Sequence, residues 1–141
     1  MLIIVDNTNK VIRPIDLKTS SHAEWDFYQS FVTWNYAIQA RLYWRLIRET
    51  LNRYPQFQNY KLLDYIFIVA NKKTLVPLVW EFKDTQTYGT LVYGKNKNIV
   101  CRDPFDLGGE LRQYLHDRPK VPNKILLNGR NNIVEWLNKE L

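Results

Sequence analysis

"MLIIVDNTNKVIRPIDLKTSS", residues 1–21, consists of two apolar runs around the polar tetrapeptide "NTNK". Asn, Thr and Lys between β-branched runs predict two antiparallel strands closed by a tight loop. With "NTNK" as a four-residue loop, Asp6 faces Val11 and every facing pair sums to 17. Pairs 6/11, 4/13 and 2/15 then exchange ladder hydrogen bonds, while 3/14 does not. Pro14, which has no N–H to donate, falls at one of the unbonded pairs. A two-residue loop would keep the sum but place Pro14 where a donor is needed, so the four-residue loop is preferred. In this register position 16 lies opposite position 1.

Asp16 and Lys18 are two apart on the second strand and share one face, about 6–7 Å apart along the chain. An acid beside an ammonium suits metal-assisted phosphodiester cleavage. The carboxylate anchors a divalent cation, and the lysine orients water or steadies charge building on the phosphate. The same tripeptide also occurs as an ordinary solvated strand end.

A helical pattern runs from about Trp34 to Arg53 and stops before Pro55. Gln39 and Tyr43 are four apart and neighbours on one face, with Tyr36 a turn earlier. Counted at about 100° per residue, Tyr36, Leu46 and Ile47 share that inward side, while Arg41, Arg45 and Arg48 point the other way, as a solvated stripe. A core-facing glutamine needs a polar partner, because burying an unpaired amide is costly.

A strand with "PIDLKTS" followed by a helix with W-x-Y-x-x-Q-x-x-x-Y resembles the RecB-like, lambda-exonuclease-like branch of the PD-(D/E)XK nucleases. The likeness is good over residues 1–50 and loose beyond. It implies an α/β domain with a restriction-endonuclease-like mixed sheet flanked by helices, acting as a Mg²⁺- or Mn²⁺-dependent deoxyribonuclease in phage or mobile-element recombination. By that resemblance Asp16 is a metal ligand, with the Leu17 carbonyl as another. Lys18 is the catalytic lysine, and Thr19, Tyr36, Gln39 and Tyr43 meet DNA.

The family also places a second metal-binding aspartate about fifteen residues before the D-x-K acid, and here that count lands on Met1. Asp6, at the hairpin tip roughly 16 Å from position 1 at strand rise, is no substitute. The resemblance is therefore to the C-terminal portion of such a domain, N-terminally truncated, with the remainder supplied by a missing segment or a partner polypeptide. The alternative reading is a catalytically dead nuclease-fold module that binds DNA or protein. Family analogy also allows a homo-oligomer.

The rest of the chain is consistent with one domain of 141 residues. "LLDYIFIVAN" and "LVPLVWEFK" read as strands and "NIVCRD" as a short one. "QTYGTLVYGKNK" reads as hairpin and loop, and "PFDLGGELRQYLHD" and "NNIVEWLNKEL" as helices. "SSHAEWDFYQSF" reads as a short helix capped by Ser21. Asp64 with Glu81 and Lys83 forms a competing E-x-K pattern, but no Q-x-x-x-Y helix follows it. The aromatics from Trp25 to Trp136 read as packing residues and His22 as surface, and His22 and His116 make no metal pair by spacing. A single cysteine, Cys101, excludes a disulfide framework and a four-thiolate cluster from this chain alone, and suits a cytoplasmic setting. The net charge of +6 favours a polyanionic partner. No apolar segment reaches membrane-spanning length.

Overall fold

The computed structural model describes residues 1–21 and 26–117. Met1–Leu107 forms one compact unit, and the site lies within it.

The hairpin forms as its turn chemistry dictates. Strands β1 (Leu2–Asp6) and β2 (Val11–Ser20) pair antiparallel, with Leu2 opposite Ile15, Ile3 opposite Pro14 and Asp6 opposite Val11. Every pair sums to 17. Asp6 closes the loop by accepting from the Thr8 and Asn9 N–H groups, both at 2.9 Å, and from the Asn9 amide at 2.7 Å. Those bonds lower its carboxyl below the ordinary range. Lys10 completes the turn with φ of 55°.

Helix α1 (Phe27–Thr33) starts after Asp26, without a side-chain cap. This is later than the expected Ser21 start, and the stretch between lies outside the described residues. Asn35, left-handed at φ 51°, breaks the chain between α1 and α2 (Tyr36–Leu51). Asn tolerates that conformation better than most residues. A 3₁₀ turn at Pro55–Phe57 follows. Strands β3 (Lys61–Leu62), β4 (Tyr65–Asn71) and β5 (Pro77–Phe82) complete the main sheet. The hairpin β6 (Leu91–Tyr93) and β7 (Ile99–Cys101) leads into α3 (Pro104–Asp117). The expected terminal helix "NNIVEWLNKEL" lies outside the described residues.

The main sheet runs β1-β2-β4-β5, with β3 also beside β2. It is mixed: β2 is parallel to β3 and β4, whereas β1/β2 and β4/β5 are antiparallel. Pro14 falls where the β2 ladder passes from β3 to β4, so no donor is missed on that side either. One face of the sheet carries the core. Phe67 and Phe82 pack there against Phe27 and Phe31 with Tyr36 and Trp80 alongside, in edge-to-face and tilted contacts such as Phe31–Phe82 at 5.1 Å. Trp34, expected in the packing, is exposed instead. It lies just past the end of α1, as its C-cap.

Candidate functional site

Register and helix phase bring the sequence-predicted residues together. The β2/β4 ladder sets Asp16 beside Phe67 and Lys18 beside Val69. Asp16 and Lys18 thus share the core face, at the C-terminal end of β2. Helix α2 crosses that face with Gln39 toward the strand. Lys18 Nζ lies 2.7 Å from Asp16 Oδ2 and donates to Gln39 Oε1 at 3.1 Å. The Gln39 amide in turn donates to Asp16 Oδ2 at 3.1 Å. The three polar groups close a triangle, in which each side chain touches both others.

The surroundings explain how this cluster is tolerated half-buried. Asp16 is 7% exposed, yet its carboxylate meets two donors on one oxygen and the chain-initial ammonium of Met1 at 3.5 Å from the other. That ammonium is where the sum-17 register puts position 1. Lys18 keeps about a fifth of its side chain exposed and sits 4.3 Å over the Tyr36 ring, a cation–π contact. Tyr36 itself stacks on Phe67. Tyr36 thus supports the ammonium from below and belongs to the site. Tyr43, one turn beyond Gln39, lies over the start of β1 and lines an apolar groove there.

Two other expected contributors are placed differently. Thr19 is exposed and, by strand alternation, faces away from Asp16 and Lys18, so its side chain is not part of the triangle. The Leu17 side chain is 60% exposed on that same opposite face. Its backbone groups turn to the β1 side of β2, past the last β1 pairing at Leu2/Ile15.

A neighbour that the sequence did not flag is Tyr65. It is fully buried, and its hydroxyl has no hydrogen-bond partner among the described residues. Burial first, then the negative charge of Asp16, pushes its hydroxyl above the ordinary tyrosine range. No motif marks it, because a tyrosine in "DYIFIVAN" reads as strand packing.

The competing E-x-K set is a surface ion cluster. Glu81 bonds Arg13 at 2.7 Å and Lys83 at 2.5 Å, which holds its carboxyl below the usual range, the Lys83 bond contributing most. Register places Glu81 opposite Ile66, which pairs with Ile15, and so on the face away from Asp16. Asp64 accepts from the Gln86 amide.

The arginine stripe requires a correction. Arg41 is fully buried and Arg45 nearly so. Arg45 forks onto Asp103 with two bonds of 2.7 Å. Arg41 donates to the carbonyls of Thr87, Gly89, Cys101 and Arg102 and to Cys101 Sγ. The helix is therefore buried on two sides, and the charges on the second side are satisfied by loops. Arg45 above all, then backbone N–H donors, holds the Asp103 carboxyl far below its ordinary range. Only Arg48 remains exposed.

No family model matches the sequence, and no curated protein or solved structure matches it. The site's chemistry therefore stands on its own geometry. A Mg²⁺ or Mn²⁺ ion takes about six hard oxygen ligands, one or two of them protein carboxylates and the rest waters or substrate phosphates. Here Asp16 is the one carboxylate of the triangle, already bonded to Lys18 and Gln39. Among the described residues no three His, Cys, Asp or Glu side chains converge on a common point. Among the described residues, the triangle offers a divalent cation one carboxylate, already engaged by Lys18 and Gln39. What the triangle does offer is a fixed, partly exposed ammonium whose position is set by two hydrogen-bond partners and an aromatic face. No helix among the described residues is long and apolar enough to cross a membrane.

Proposed function

We propose that this chain is a DNA-binding domain on the plan of the RecB-like, metal-dependent deoxyribonucleases that its residue pattern resembles, and that by itself it does not hydrolyse DNA. The observation that carries this reading is the closed contact among Asp16, Lys18 and Gln39. Two motif halves more than twenty residues apart meet atom to atom. The Lys18 ammonium has three donors; Asp16 and Gln39 take two, and a phosphate oxygen would take the third. The net charge of +6 supplies the long-range attraction to a polyanion. Hydrolysis on this plan requires a further carboxylate beside Asp16.

Fluorescence anisotropy with labelled duplex DNA tests the binding half, and a gel cleavage assay with Mg²⁺ or Mn²⁺ tests the catalytic half. The expected result is salt-sensitive binding that weakens about tenfold in Lys18→Ala, as for loss of one charge-assisted contact, with no product. Binding unaffected by Lys18→Ala would remove the triangle from DNA recognition. Robust cleavage by the pure chain would show that Asp16 suffices without a second acid.

A further inference from the structure

The turn between β4 and β5 brings two more ammoniums to the end of the sheet where Lys18 lies. Strand β4 runs parallel to β2, with Lys18 opposite Val69 and Ser20 opposite Asn71. The chain continues from Asn71 with Lys72 and Lys73. The Lys72 N–H donates to the Ser20 carbonyl at 2.9 Å, which bonds the start of the turn to β2 just past Lys18. At strand rise, Lys72 lies about 10 Å beyond the level of Lys18.

The turn has a fixed shape. Asn71 is 5% exposed, and its side-chain oxygen accepts from the Lys73 N–H at 2.8 Å and the Thr74 N–H at 3.2 Å. Its carbonyl accepts from the Leu75 N–H at 2.9 Å. Leu75 holds a left-handed φ of 59°, a costly conformation for a leucine. Lys72 and Lys73 are exposed and extend from this base on long, flexible stems.

The charge at this turn is uncompensated. Among the described residues no carboxylate lies within ion-pair distance of Lys72 or Lys73, and from Tyr65 to Trp80 the chain contains no Asp or Glu. Other lysines are placed differently. Lys83 is paired with Glu81, and Lys10 bonds the Tyr60 hydroxyl and lies over its ring. Lys61 stands opposite Val11, at the other end of β2 and roughly 23 Å from the level of Lys18 at strand rise.

We propose that Lys72 and Lys73 form a second phosphate contact for the DNA that Lys18 meets, so that one backbone strand crosses the C-terminal ends of β2 and β4. The spacing fits: one strand of duplex DNA advances about 3.4 Å per phosphate, so about 10 Å spans about three nucleotides. Open α/β sheets bind their ligands outside the carboxyl ends of the strands, and this is that end of the parallel pair β2 and β4. Lys18, held by Asp16, Gln39 and Tyr36, fixes one point of the backbone. The turn supplies the second, and two points set the direction in which the strand runs. The proposal rests on the reading of Lys18 as a phosphate contact.

Duplex affinity across a salt series tests it, with circular dichroism melts to establish that each variant is folded. Lys72→Ala/Lys73→Ala should make the log–log slope shallower by about two, while Lys61→Ala leaves it unchanged. Lys72→Arg/Lys73→Arg keeps both charges and should keep the wild-type slope. An unchanged slope in the alanine pair overturns the proposal. So does an equal loss per charge in Lys61→Ala, which would make net charge the cause. A shallower slope in the arginine pair also overturns it, by tracing the effect to the shape of the turn. The two readings fail separately. If Lys18→Met alone is shallower, the turn is removed and the triangle stands. If the alanine pair alone is shallower, the strand shared with Lys18 is overturned. Wild-type protein that binds no duplex overturns both.

Discussion

Helix α2 carries a polar cluster on each side, and the two are bonded to different degrees. On one side, Arg41 and Arg45 surround Asp103 with bidentate geometry, four main-chain carbonyls and almost no exposure. On the other, Lys18, Asp16 and Gln39 close a three-membered ring whose lysine keeps a window to solvent. The first cluster ties the helix to the segments around Thr87 and Cys101. Its bonds are nearly all made, with Arg45 Nε the buried donor left over among the described residues, and a ligand would have to break them to enter. The second holds an ammonium in place with its bonding incomplete. A buried ion pair closed to solvent is an anchor; a partly open one leaves a donor for a ligand.

The largest effect that could break this contrast is at the anchor. Asp103→Asn leaves Arg45 and Arg41 facing an uncharged amide and is expected to cost about 3–5 kcal/mol in chemical denaturation. A loss under about 1 kcal/mol would show that the arginines find other partners. The same carboxyl predicts an acid limb. Its folded pKa lies below the ordinary 3.8, so its stabilisation is full above that value and is lost as pH falls through the depressed one. The wild type should therefore lose stability below about pH 4 more steeply than Asp103→Asn. Parallel acid limbs would contradict the assignment.

A middling effect sharpens the contrast. Arg41→Lys keeps the charge but not the fork that reaches several carbonyls at once, and should cost about 2 kcal/mol. The open cluster should respond differently. Lys18→Met takes one partner from the buried Asp16, which keeps the Gln39 amide, and is expected to cost about 1–3 kcal/mol, less than the anchor, while weakening DNA binding. Smallest of all is Tyr65→Phe. The hydroxyl it removes is buried without a partner, so the change should be neutral or slightly stabilising, within about 1 kcal/mol. A clear loss would mean that this hydroxyl holds an unseen water next to Asp16.

The legibility of the sequence follows the same division. The hairpin register could be read because Pro14 and a polar four-residue loop leave few consistent pairings, and from it came the closeness of position 1 to Asp16. The Gln39 contact was readable because helix phase and strand alternation are local rules. Arg41 and Arg45 were misread because an angular count sends charge to water. Their acceptors are mostly main-chain carbonyls of Thr87, Gly89, Cys101 and Arg102, forty to sixty residues away. Carbonyls leave no mark in residue types, although Asp103 just after a short strand was a signal within reach. Thr19 was carried over from a motif whose letters are consecutive, and strand alternation puts every second letter on the other face.

The central claim is that the Lys18 ammonium is held for a phosphate rather than for the fold. Duplex affinity measured across a salt series, for the wild type and Lys18→Met, tests it most directly. Loss of one phosphate contact should make the log–log slope shallower by about one, with the variant still folding cooperatively. Parallel salt lines, or a variant that loses its fold along with its affinity, would contradict it.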